Sequence, residues 1–292
     1  MDALNLAASI INNPKACLTD TNKYQKQSRK LHKKKDKKRF TNSVGQVIKN
    51  IDNKSEANWL LGLRNDGIPV YLEYLQSPFF PMLICCGEGC GKTHHLQVLA
   101  DSYIQLTKYR QLKLFVLTNN PSEWFDLISR LSKNNVSINA YSWQDPVASE
   151  LVDTISIKAE KLMENKRDKS NKSNKDDKDN KDNKDDIILI MDDLSGLLHL
   201  KNDSQINLLW LLEYGKSVGI WSAASLNTEE LSAFEFWVKV FPFSITGSCS
   251  RSSISNDPLT DSCMVPSILQ PGEFSVRIGN RWIIYHLPML GN

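Results

Sequence analysis

No stretch of this 292-residue chain reaches the roughly 18 consecutive apolar residues that a membrane-spanning helix needs. A transmembrane anchor is therefore not expected. The opening MDALNLAASIINNPKACL carries an acidic residue early and no basic n-region, which argues against a secretory leader. Cysteine is sparse: Cys17, Cys85, Cys86, Cys90, Cys249 and Cys263 show no paired C-x-x-C spacing, which argues against zinc. Three of them crowd one loop, where a disulfide framework makes little sense. They read as reduced thiols of a cytosolic protein. No internal repeat is visible, and neither charge dominates, since the formal net charge is only +3.

That small total conceals an uneven distribution. Residues 26–39 (KQSRKLHKKKDKKR) hold nine Lys or Arg against one Asp, a local +8, which leaves about −5 for the rest of the chain. Residues 1–57 are polar and basic with few large apolar groups, and read as a mostly disordered arm with, at most, short helices. A second low-complexity run, 166–186, has eight Lys or Arg and seven Asp. It is nearly charge-balanced and repetitive, the pattern of a solvated insertion between a helix and a strand. The remaining segments, within 58–292, supply enough apolar sequence for one large core.

Within that region apolar runs alternate with helical patterns. PMLICC (81–86) is a continuous apolar run of the kind that a buried parallel strand shows; LKLFVLT (112–118) and DIILIMDD (186–193) read as further buried strands and IWSAAS (220–225) as a strand. VSINAYS (136–142) and FSITGSC (243–249) read as further strands. Helices are expected over 93–106, over 122–132 with Ser122 as the cap, over 146–165 with Pro146 in the first turn, and over 205–219 and 228–241. WLLGLRNDGIPVYLEYL turns at Asn65-Asp66-Gly67, and EFSVRIGNRWIIYHL (273–287) turns at Gly279-Asn280, which predicts a terminal β-hairpin. The expected fold class is α/β, a mainly parallel sheet covered by helices.

The sharpest motif is Cys86-Gly87-Glu88-Gly89-Cys90-Gly91-Lys92-Thr93. It follows the phosphate-loop pattern G-x-x-x-x-G-K-[ST], with Cys86 in place of the first glycine. Backbone N–H groups of Gly87, Glu88, Gly89, Cys90 and Gly91 would turn inward toward phosphate oxygens, which requires a bent loop. The following helix adds the partial positive charge of its N-terminus. In such a loop Lys92 reaches the β- and γ-phosphates of ATP and the Thr93 hydroxyl holds Mg²⁺. The cation also needs a carboxylate from the other side. Asp192 and Asp193 end the strand that contains ILIM, at the sheet edge where ligands bind in such folds. Asp192 is the expected Mg²⁺ ligand and Asp193 the residue expected to orient or deprotonate the attacking water. His94 and His95 are expected on the helix surface or near the nucleotide.

In their order, these segments resemble the motor domain of FtsK-type DNA translocases, within the FtsK/HerA group of P-loop ATPases. The residues that carry the resemblance are LGLRNDGIPVYLEYLQSPFFPMLICCGEGCGKT (61–93), LIMDDLSGLL (189–198), EYGKSVGIWSAAS (213–225), FPFSITG (241–247) and LQPGEFSVRIGNRWIIYHLP (269–288). The resemblance covers about residues 58–290. It implies a RecA-like fold, ring hexamers on double-stranded DNA, and translocation driven by ATP hydrolysis. Three departures stand out. Asp193 replaces the usual glutamate, which withdraws the water-orienting oxygen by about a bond length, and a misplacement near 1 Å can cost about a hundredfold. The sensor strand ends in Ser225-Leu226-Asn227-Thr228 rather than carrying the usual glutamine, so that Asn227 or Ser225 would have to serve. The usual arginine after Phe241-Pro242 is absent, and Arg251 is the nearest basic residue for a role across a ring interface.

Two functional classes follow: a DNA-translocating ATPase, and a nucleotide-binding, DNA-associated accessory protein with weak turnover. A small-molecule kinase would need an arginine-rich lid, and the 194–270 region holds only Arg251. The basic arm at 26–39 fits phosphate contact without base readout.

Overall fold

The computed structural model describes residues 42–49, 58–73, 80–106, 112–132, 136–171, 186–248 and 269–291. The basic segment 26–39, Arg251 and residues 172–185 of the Lys/Asp/Asn run lie outside the described residues, as do Cys17, Cys249 and Cys263.

In chain order the elements are α1 (Val44–Lys49), β1 (Asn58–Leu63), β2 (Pro69–Glu73), β3 (Met82–Cys86), α2 (Lys92–Leu106), β4 (Leu112–Thr118), α3 (Phe125–Leu131), β5 (Val136–Ser142), α4 (Pro146–Asn171), β6 (Asp186–Asp192), α5 (Asn202–Tyr214), β7 (Ile220–Asn227), α6 (Glu235–Val238), β8 (Phe243–Gly247), β9 (Glu273–Ile278) and β10 (Arg281–His286). Among the described residues the strands form one ten-stranded sheet in the order β2-β1-β10-β9-β8-β3-β7-β6-β4-β5. From β8 to β5 every pairing is parallel, and from β8 outward to β2 every pairing is antiparallel.

Strand alternation divides the core into two layers. Met82 and Ile84 of β3 and Ile188 and Ile190 of β6 face one way, against Leu96, Leu99 and Tyr103 of α2 and Leu127 of α3. Leu83 of β3 and Leu189 and Met191 of β6 face the other, against Val152 and Ile155 of α4 and Leu208 and Leu211 of α5. A strand buried on both faces has no reason to alternate in polarity, which is why these segments read as continuous apolar runs. β6 is buried along its whole length.

Several local expectations change. The segment at 122–132 opens as a 3₁₀ turn over Pro121–Trp124 before α3, and Ser122 is not its cap: the Ser122 hydroxyl donates to Asn120 Oδ1 at 2.6 Å. The segment at 228–241 splits into a 3₁₀ turn, Thr228–Glu230, and the four-residue α6. Helix α4 continues to Asn171, into the charged run. Residues 42–49 belong to the packed structure, since Val44, Val47 and Ile48 are buried against Leu60, Leu63 and Val98.

Cys86 and Cys90 are joined by a disulfide, with Cα atoms 6.4 Å apart, contrary to the expectation of reduced thiols. The loop reverses through Gly87-Glu88-Gly89 and brings the two buried cysteines together, a proximity that spacing rules for metal or framework cysteines do not address. Cys85, one residue earlier on the strand, is buried in the opposite layer and lies outside this disulfide.

Candidate functional site

The parallel half of the sheet aims the carboxyl ends of β3, β6, β7 and β4 at one edge, around the position where chain order reverses beside β3. This is the crevice where open α/β sheets place ligands. The loop after β3 runs directly into the 15-residue helix α2. Gly89 and Gly91 have φ of 69° and 103°, a backbone region that other residues reach only with strain. A side chain at Gly89 would meet nothing within 4 Å, so this glycine serves backbone shape rather than close packing. The loop is tied down at both ends: Gly87 N–H donates to Ser248 O at 2.8 Å, and Cys90 O accepts from Gly272 N–H at 3.1 Å. An open cleft beside it is lined by Gly89, Gly91, Lys92, Thr93, Gln97 and Glu123, with His94 at its rim.

Two groups of polar side chains meet at this edge. The inner one centres on Asp192, which is only 6% exposed. Its Oδ1 accepts from the Thr93 hydroxyl at 3.1 Å and the Ser225 hydroxyl at 3.2 Å, and its Oδ2 accepts from Trp124 Nε1–H at 3.2 Å. Burial pushes the Asp192 carboxyl above its ordinary pKa, the three donors oppose that shift, and the charge of Glu123 adds to it. A buried carboxylate held upward in this way, with a hydroxyl on its open side, gains from a divalent cation, which repays the desolvation of the charge. Thr93 and Asp192 therefore suit Mg²⁺, whose coordination prefers hard oxygen donors and retains waters. Mg²⁺ bound there would neutralise charge on phosphate oxygens. No cluster of three or more His, Cys, Asp or Glu side chains suited to a metal occurs among the described residues.

The outer group centres on Asn227. Lys92 Nζ donates to Asn227 Oδ1 at 2.5 Å and to Gly87 O at 3.2 Å. Asn227 Nδ2 donates to Asp193 Oδ2 at 3.2 Å and to Glu230 Oε2 at 3.4 Å. Asp193 is also the cap of the next turn: its Oδ1 accepts from Ser195 N–H at 3.1 Å and from the Ser195 hydroxyl at 3.0 Å. Burial, and then the charge of Asp193, raise the pKa of Glu230. Hydrogen bonds from the Asn227 side chain and backbone and the charge of Lys92 pull the other way.

Solved structures share this arrangement of strands and helices. EssC (ATPases 2 and 3) from Geobacillus thermodenitrificans matches with a TM-score of 0.61 and 14% identity, over 86% of this chain and 44% of that one. EccC (ATPases 2 and 3) from Thermomonospora curvata, solved with a signal sequence peptide, matches with a TM-score of 0.60 and 16% identity, over 82% and 41%. The pCW3 conjugation coupling protein TcpA, solved as a monomer with ATPγS, matches with a TM-score of 0.58 and 15% identity, over 82% and 68%. The fold is that of a RecA-like P-loop ATPase. At these identities the likeness speaks for the fold alone, and the chain spans less than half the length of the EssC and EccC structures. No family model and no curated protein matches the sequence.

Within this P-loop fold the residues expected from sequence fall into three sets. Lys92, Thr93, Asp192 and Asp193 converge at one edge, with Gly87, Glu88, Gly89, Cys90 and Gly91 forming the loop above them. Arg251 lies outside the described residues. His95 is displaced from expectation: it is fully buried, 4.5 Å from the Phe274 ring, with its pKa lowered to about 3 by burial and by neighbouring His94. Every side chain of α2 from His95 to Val98 is buried, and of these Gln97 lines the cleft while His95 turns to the core. His94 remains at the cleft and binds Pro288 O at 3.0 Å. Sequence reasoning missed Trp124 and Glu230. Trp124 reaches Asp192 across 68 positions, and nothing local to either residue signals that pairing. Glu230 carried a weak signal, since it stands three residues after Asn227 at the spacing of a turn-capping acid.

Proposed function

We propose that this protein binds ATP with Mg²⁺ and hydrolyses it, acting as a motor-type ATPase on double-stranded DNA. The observation that carries nucleotide use is the convergence of Lys92, Thr93 and Asp192 from α2 and β6 at the carboxyl edge of the sheet, with the Thr93 hydroxyl 3.1 Å from Asp192. In this reading Lys92 holds the β- and γ-phosphates, and exchanges its bonds to Asn227 and Gly87 for bonds to them. Loop N–H groups cradle the phosphates, while Thr93 and Asp192 hold Mg²⁺. Asn227 reports the state of the site to the turn that follows β7.

Double-stranded DNA as the substrate rests on the sequence resemblance and on the +8 segment at 26–39. A ring of six copies, with Arg251 acting across the interface, follows from the same resemblance. ATPase activity measured with and without double-stranded DNA at two salt concentrations, beside Lys92→Ala, tests this reading. Stimulation by DNA, lost in Lys92→Ala and weakened by salt, is expected. Each phosphate neutralised by the arm would steepen the salt dependence by about 0.9 log unit per decade of salt. A flat response to DNA would exclude a DNA motor. Truncation after residue 41 removes the arm without disturbing the buried Val44, Val47 and Ile48; unchanged DNA affinity would reduce the arm to a solubilising tail.

A second reading, a nucleotide-binding accessory protein with weak turnover, draws on one observation. The carboxylate expected to orient water, Asp193, already binds Ser195 through one oxygen and Asn227 through the other. Rapid DNA-stimulated hydrolysis by the pure protein would eliminate it.

A further inference from the structure

Asp193, the residue after β6, is engaged in the turn that follows it. Its Oδ1 takes two hydrogen bonds from Ser195 and its Oδ2 takes one from Asn227. These bonds define the 3₁₀ turn Leu194–His199, in which Asp193 is the N-terminal cap. Both oxygens of this carboxylate are committed to neutral donors that build the turn and fix Asn227. A second carboxylate, Glu230, hangs from the same Asn227 amide nitrogen, whose two hydrogens can be divided between the two acids. The other end of that amide accepts from Lys92 at 2.5 Å. Glu230 is therefore two hydrogen bonds away from the ammonium group that marks the terminal phosphates. It sits on the 3₁₀ turn Thr228–Glu230 that directly continues β7, so a rigid, buried strand fixes its position. It is half-buried.

We infer that Glu230, delivered by the turn after β7, is the base that activates water in this site, and that Asp193 and Asn227 are positioning residues that hold it beside Lys92. The inference rests on the ATPase reading above. In the step, Glu230 takes a proton from water as the water oxygen bonds to the terminal phosphorus. The bond from that phosphorus to the bridging oxygen breaks, and the bridging oxygen leaves with the electron pair as part of ADP. Glu230 then returns its proton to inorganic phosphate or solvent. Glutamate restores the methylene that Asp193 lacks, from a different strand. The charged groups that act on it are Asp193 from the β6 end and Lys92 from α2. The first of these raises the Glu230 pKa after burial does, which places its proton affinity closer to neutrality, where a general base is more effective.

The test uses the full chain with Mg²⁺ and compares wild type, Glu230→Gln and Asp193→Asn. ATPγS affinity, steady-state ATP turnover across pH, and a ¹³C carboxyl titration of nucleotide-free protein are measured on each. Glu230→Gln preserves the acceptor for Asn227 and removes the base. It should bind ATPγS within about threefold of wild type and lose about a hundredfold or more in turnover. Asp193→Asn should retain more turnover and move the acidic limb of the rate profile to lower pH, in step with a lowered Glu230 titration. Wild-type turnover in Glu230→Gln, or a Glu230 titration indifferent to Asp193→Asn, would overturn the inference while leaving the ATPase reading intact. Wild-type protein that fails to bind ATPγS or to hydrolyse ATP would instead remove the reading itself, and the inference with it.

Discussion

The two halves of the sheet do different work. The parallel half, β8 to β5 through β3, β7, β6 and β4, is covered on both faces and contributes the polar side chains of the site from its strand ends, from α2 and from the turns at one edge. The antiparallel half, β9, β10, β1 and β2, contributes shape. β10 is buried fully only at Tyr285, and β1 approaches β10 so closely that a side chain at Gly62 would stand 2.4 Å from His286 O. The halves meet at the phosphate loop, which hangs from Ser248 on one side and Gly272 on the other. Parallel strands leave their loops together at one end, so chemistry collects there. Antiparallel hairpins return within a few residues and stiffen the border of the loop without adding functional groups.

Substitutions that separate affinity from stability test this division. The largest effect is expected for Lys92→Ala, which removes the charge-assisted donor proposed for phosphate. ATPγS affinity, measured by calorimetry, should fall by about tenfold to a hundredfold, with the thermal midpoint nearly unchanged. Loss of folding instead would show that the Lys92 contacts to Gly87 and Asn227 are structural. Next is Gly62→Ala in the antiparallel half. Overpacking against a backbone oxygen should cost about 1–3 kcal/mol of unfolding free energy in a urea titration, and nucleotide affinity per folded molecule should not change. A large affinity loss there would break the comparison.

Trp124→Phe crosses the division within the parallel half. It retains most of the buried ring and removes the donor to Asp192 Oδ2, leaving a buried acceptor short of a partner. A loss of about 1–2 kcal/mol is expected, and with it a steeper requirement for Mg²⁺ in nucleotide binding. An unchanged Mg²⁺ dependence would mean that the indole only fills space.

An effect that emerges only in acid concerns His95, which links α2 to Phe274 and Tyr285 of the antiparallel half. Its folded pKa, about 3, lies below the ordinary 6.5. The unfolded chain therefore binds a proton below pH 6.5 that the folded chain refuses. Stability falls as pH drops from 6.5 toward 3, at a slope that approaches about 1.4 kcal/mol per pH unit. Thermal midpoints at about pH 7.5 and about pH 5, on either side of the ordinary histidine pKa, should diverge less in His95→Gln than in wild type. Equal divergence would show that other groups govern the acid response.

Much of the parallel half is legible in the amino-acid sequence. β4 and β5 begin and end where the sequence pattern places them, and the loop Gly87–Gly91 with Lys92 and Thr93 announces itself by spacing. The Asp192-Asp193 pair is legible as well, because a strand buried on both faces that ends in two carboxylates is unusual. Less is legible near the site's outer edge. The expected helix over 228–241 is replaced by short turns, and the turn Thr228–Glu230 is what carries Glu230 to Asn227. The histidines beside Lys92 could not be sorted by sequence, because adjacent positions on a helix buried nearly all round face cleft and core alike.

The sequence alone determined the α/β alternation, the phosphate loop and the carboxylates at the end of β6, because strand burial, helix periodicity and loop geometry act through neighbouring residues. Tertiary structure decided which side chains meet: Trp124 with Asp192, Lys92 with Asn227 across 135 positions, Cys86 with Cys90, and Glu230 with Asn227. Hydrogen bonds and ionic contacts act over about 3 Å of space, and only the parallel sheet, by gathering the ends of distant strands at one edge, brings those atoms within that reach.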